Sequence, residues 1–93
     1  YKDNIMYYVY IIQSLEHQNQ IYVGYTTNLT KRLSDHNSGT TAHTEKYKPW
    51  KLVVSIGFED KTKALDFEEY LKSGSGRAFR DKRFVSISKR DQS

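Results

Sequence analysis

Tyr7-Tyr8-Val9-Tyr10-Ile11-Ile12 is a run of six aromatic or β-branched residues without a polar interruption. Successive side chains of a strand point to opposite faces, so a run that is apolar at every position predicts a strand buried on both. Outward from it, Leu15–Gln20 reads as a polar turn, and Ile21–Tyr25 resumes the β-rich pattern. The connection is short, which makes the two strands antiparallel neighbours. Thr26, Thr27 and Asn28 offer capping side chains before Leu29 and Leu33, predicting a helix from about Asn28 to His36 that stops near Asn37–Gly39. Thr40–Pro49 has no hydrophobic period and reads as a loop, whereas Trp50–Phe58 is rich in Val, Ile and Leu and reads as a third strand. Ala64, Leu65, Phe67 and Leu71 recur at helical spacing within Lys61–Lys72, with Asp60 or Thr62 near the start. Ser73–Gly76 breaks that helix, and the segment from Arg77 reads as another, with Ala78, Phe79 and Phe84 facing inward. The order of elements predicts an α+β fold.

The chain has 93 residues, enough for one hydrophobic core and no more. It is read as one domain over 1–93, with its core at about 6–84 and with residues 1–5 and 86–93 peripheral. A hydrophobic content of 37% with a single proline argues for a packed chain rather than disorder. No apolar run approaches the ~20 residues of a membrane span, and the N-terminus has no signal-peptide profile. The absence of cysteine excludes a disulfide partner and thiol chemistry, and suits a reducing, cytoplasmic setting. The net charge of +4 is concentrated: Arg77, Arg80, Lys82, Arg83, Lys89 and Arg90 are opposed within their stretch only by Asp81. Clustered cations bind polyanions with release of counterions, so nucleic acid is the first partner to consider. The plain alternative is a solvated helix face.

Several polar residues stand where a purely structural design does not need them. Tyr10 interrupts the aliphatic centre of the first strand, Tyr22 occupies the middle of the second, and Gly24 leaves room there for a close approach. Taken singly, strand tyrosines are usually packing residues. Arg32 and His36 are four apart and share a helix face that can hold and protonate a phosphodiester, or simply meet solvent. His43 in the polar loop and His17 in the hairpin turn read as solvated. Glu68 lies on the stripe of Ala64, Leu65 and Leu71, whereas Glu69 is turned ~100° away. An inward carboxylate needs a cation, which can be Arg, Lys or a hard divalent metal ion.

Val9-Tyr10-Ile11 followed by Tyr22-Val23-Gly24, then Arg32, His36 and Glu68 in that order, resembles the GIY-YIG endonuclease domain. Asp35-His36-Asn37-Ser38-Gly39, Pro49-Trp50-Lys51-Leu52 and the run Leu71–Arg77 resemble its small stand-alone bacterial members, and the likeness covers roughly Met6 to Phe84. The resemblance implies a three-stranded antiparallel sheet flanked by helices, and hydrolysis of DNA phosphodiesters with one divalent ion, Mg2+ or Mn2+. It implies that Tyr10 or Tyr22 is the general base, with a relay to His36. Arg32 is then the phosphate-binding group and Glu68 the metal ligand, its ion supporting the leaving oxygen. Arg77, Arg80, Lys82 and Arg83 are expected to bind nucleic acid. Two positions depart from the pattern: Tyr8 precedes Val9-Tyr10 where a glycine is usual, and Arg80 stands where many larger members carry an asparagine. A nucleic-acid-binding module with this fold and little cleavage is the alternative expectation.

Overall fold

The computed structural model describes residues 5–86. Strand β1 (Tyr7–Ser14) is the middle of a three-stranded antiparallel sheet, between β2 (Ile21–Thr26) and β3 (Trp50–Phe58). Its central place explains the uninterrupted apolar run, for Val9 and Ile11 enter one layer of the core and Tyr10 and Ile12 the other. The strand continues two residues past that run because buried polar groups find partners. Ser14 Oγ donates to the Tyr47 carbonyl (2.7 Å), and Gln13 Nε2 donates to the Gln18 carbonyl (2.7 Å). The register with β3 skips Val53, a bulge between the partners of Ile11 and Ile12.

Helices α1 (Leu29–Ser38) and α2 (Ala42–Glu45) lie with the Tyr10 face, where Tyr10, Ile12 and Trp50 pack with Tyr22, Leu29, Leu33 and Tyr47. Helices α3 (Lys61–Lys72) and α4 (Gly74–Arg83) cover the other face through Ala64, Leu71, Phe67 and Phe79. Each fully buried aliphatic side chain contributes ~1.5–3 kcal/mol, so the two layers hold the sheet from both sides. Among the described residues no helix is long and apolar enough to cross a membrane.

Three expectations are corrected. The stretch 40–49 is not loop throughout: α2 is one turn, with Thr44 N–H bonded to the Thr41 carbonyl (3.1 Å) and the Thr44 carbonyl accepting from Trp50 Nε1 (2.9 Å). That turn rests on tertiary partners, so no hydrophobic period announces it. The break at 73–76 shrinks to the single residue Ser73, which ends α3 and caps α4, its Oγ accepting from Gly76 N–H (3.2 Å) and donating to the Tyr70 carbonyl (2.6 Å). Leu65 and Ala78 are exposed rather than inward, because the core stripes of α3 and α4 are narrow and run through Ala64, Leu71 and Gly76. Lys89 and Arg90 lie outside the described residues.

Candidate active site

The β1–β2 register sets Tyr10 opposite Gly24. A Cβ on Gly24 would collide with the Tyr10 ring and hydroxyl, so the glycine is what lets that ring lie across β2 toward α1. Tyr10 is 1% exposed, and its hydroxyl meets His36 Nε2 at 2.8 Å. His36, wholly buried on α1, places Nδ1 2.8 Å from Thr44 Oγ1. The Thr44 hydroxyl donates to the Thr41 carbonyl (3.3 Å) and therefore accepts from His36 Nδ1–H. This pattern assigns the proton of the neutral imidazole to Nδ1 and leaves Nε2 to accept the Tyr10 proton.

Electrostatics agree with that assignment. Burial, then the Arg32 guanidinium one turn away, hold the His36 pKa below its ordinary value, with Asp35 acting weakly the other way. Burial raises the Tyr10 phenol far above its usual range, aided by Tyr22 and Glu68, while the charge and hydrogen bonding of Arg32 pull it back. For Tyr10, desolvation thus exceeds the effect of the Arg32 charge. The five predicted residues are nonetheless gathered, since Tyr22, Arg32, His36 and Glu68 all act on the one oxygen of Tyr10. The Tyr22 ring lies 6.3 Å from the Tyr10 ring and 5.0 Å from the His36 ring. Unlike Tyr10 it is only half-buried, and it faces open clefts.

Glu68 is 19% exposed, whereas Glu69 is at the surface, as the helical phase requires. Its cation in the structure is Lys72, one turn on, at 3.0 Å from Oε2. Among the described residues no three His, Asp or Glu side chains gather as a closed metal cage. A single carboxylate fits a hard ion that keeps several waters and takes further oxygens from a substrate phosphate. It does not fit a structural zinc site.

Since β2 is an edge strand, its outer side is open. There a cleft of about 300 Å³ is lined by Tyr22, His43, Lys72, Arg77 and Arg80. Arg80 is partly buried and tied through Nε to Asp81 (2.9 Å). Of the predicted nucleic-acid-binding set, Arg77 and Arg80 thus stand at Tyr22, while Lys82 and Arg83 are exposed in the last turn of α4 and do not line this cleft. His43 is exposed, in keeping with its reading as a solvated residue, yet it stands beside Tyr22. Its exposed imidazole packs 5.8 Å from the Tyr22 ring, at the meeting of the two clefts. Spacing gives no signal for it, because its place depends on the single turn α2.

Comparison with known proteins comes from three directions. The GIY-YIG catalytic domain matches residues 6–82. The UPF0213 protein YsiG of Lactococcus lactis is 42% identical over 67 residues, covering 71% of this chain and 62% of that one. The chain thus spans less than two thirds of that relative. A structure-specific endonuclease subunit SLX1 homolog of Giardia intestinalis is 35% identical over 65 residues, 66% of this chain and 18% of that protein. The solution structure of the UPF0213 protein BH0048 of Bacillus halodurans aligns with a TM-score of 0.49 at 29% identity, over 81% of each chain.

Proposed function

The chain belongs to the GIY-YIG catalytic domain family, and from that premise we propose that it is a metal-supported endonuclease that hydrolyses DNA phosphodiesters at the open edge of β2. One observation carries the reading: a second tyrosine, an arginine, a histidine and a carboxylate act on the buried Tyr10 hydroxyl, beside a cationic cleft lined by Tyr22. A structural sheet needs no such convergence.

Lys72, Arg77 and Arg80 draw the phosphate backbone to the cleft, a contact that reads charge rather than sequence. Tyr22 is the phenol that meets water there. As the phenolate, it orients the attacking water and accepts its proton as the P–O bond forms. Tyr10 has a different part, since its proton is committed to His36 and its ring is sealed in the core. With His36 it forms a rigid, hydrogen-bonded floor that fixes Arg32 for the charge that develops on the pentavalent phosphate. Glu68 is the residue to hold a divalent ion, Lys72 giving way to it. Held there, a divalent ion would supply positive charge to the reacting phosphate.

The test is incubation of the protein with plasmid, branched and single-stranded DNA in Mg2+, in Mn2+ and in EDTA. Cleavage with either ion and none in EDTA supports the reading. DNA binding without cleavage in any metal overturns it in favour of a binding module.

A further inference from the structure

Hydrolysis of a phosphodiester breaks the bond from phosphorus to a sugar oxygen, and the departing alkoxide is strongly basic. A proton delivered to it lowers the barrier. His36 cannot deliver one, because it is wholly buried, with Nδ1 bonded to Thr44 and Nε2 to Tyr10. His17 packs against Tyr47 in the hairpin region, 5.4 Å between rings. His43 is differently placed: exposed, against Tyr22, and shared by the cationic cleft and the adjoining cleft of about 400 Å³ lined also by Gln20, Lys46 and Tyr47. The charged and titratable groups that share these clefts with it are Tyr22 of β2, Lys72 of α3, Arg77 and Arg80 of α4, and Lys46 and Tyr47 beyond α2. Ammonium, guanidinium and phenol groups ordinarily exchange protons well above neutrality, whereas imidazole does so between about pH 5 and 8.

We propose that His43 is the general acid that protonates the leaving sugar oxygen. The inference rests on the endonuclease reading and assigns a further residue to that site. The proton balance closes without an added reactant. Water forms the new P–O bond and gives its proton to the Tyr22 phenolate, the bond to the sugar oxygen breaks with its electron pair on oxygen, and that oxygen takes the proton of the His43 imidazolium. Solvent returns a proton to His43 and takes the one gained by Tyr22, which the open clefts around both side chains allow.

The experiment compares wild type and His43→Gln on two DNA substrates, an ordinary phosphodiester and one with sulfur in place of the leaving oxygen, whose thiolate departs without a proton. The variant is expected to lose about 10²–10⁴-fold on the ordinary substrate and to stay within about twofold on the sulfur one. In His43→Ala, added imidazole should restore part of the rate. Equal losses on the two substrates would overturn the assignment by showing a binding or folding effect, and no loss on either would return His43 to solvent. If wild type cuts neither substrate in any metal, the endonuclease reading itself has failed, and this inference with it.

Discussion

Tyr10 works through what surrounds it: its ring needs the bare backbone of Gly24, and its hydroxyl needs the lone pair of His36. Gly24→Ala should therefore destabilise the protein by about 1–3 kcal/mol, the usual cost of overpacking a filled site. The loss should be smaller in a Tyr10→Leu background, as urea unfolding of the four variants would show. His36 gives a prediction with a definite sign. Its pKa is held below the ordinary ~6.5, so the folded protein binds a proton less readily than the unfolded chain. The stability linked to this histidine is complete above ~6.5 and is lost as pH falls below it. The urea midpoint should drop between pH 7.5 and 5.0, and the drop should shrink in His36→Gln. A drop of the same size in the variant would place the titration elsewhere. These side chains were legible as candidates because they are polar in apolar settings. The chain of hydrogen bonds from Tyr10 through His36 to Thr44 was not legible, because Thr44 stands on a single turn that no hydrophobic period announces.

At the scale of elements, the strands were the readable part. β1 could be placed on the sheet because six consecutive apolar residues admit few other homes. The short α2 and the start of α4 were unreadable for one physical reason: neither is set by a hydrophobic period. α2 is held by Thr44 and the indole of Trp50, and Asn37 clamps the same region by accepting from Trp50 N–H (2.6 Å) and donating to its carbonyl (3.1 Å). The motif text Asp35–Gly39 and Pro49–Trp50 therefore describes the clamp that carries His43, as much as the site itself. The joint of α3 and α4 turns on Gly76, where a Cβ would run into the Tyr70 carbonyl. Backbone cannot step aside as a side-chain tip can. Gly76→Ala should cost at least about 1–3 kcal/mol, and it should lower DNA affinity by shifting Arg77 and Arg80. Unchanged thermal stability in this variant would mean that the joint yields freely.

For the whole molecule, charge and sheet edge coincide. The basic excess noted in the sequence divides in space: Arg77 and Arg80 join Lys72 at the β2 edge, and Lys82 and Arg83 extend along α4. Each phosphate contact adds ~0.9 to the slope of log K against log salt. Neutralising Arg77, Arg80 and Arg83 together should flatten that slope by up to ~3 for every DNA sequence alike. An unaltered slope would make the cluster an ordinary solvated face. The central claim, that cleavage depends on the partly buried carboxylate paired with Lys72, is tested most directly by two neighbours of identical chemistry. Glu68 is half-buried within electrostatic reach of the Tyr10 hydroxyl, and Glu69 is at the surface. With saturating Mg2+, Glu68→Gln should lose about 10²-fold or more in DNA cleavage, in line with removal of a group that stabilises transition-state charge. Glu69→Gln should cut at the wild-type rate, whereas equal rates in the two variants would contradict the account.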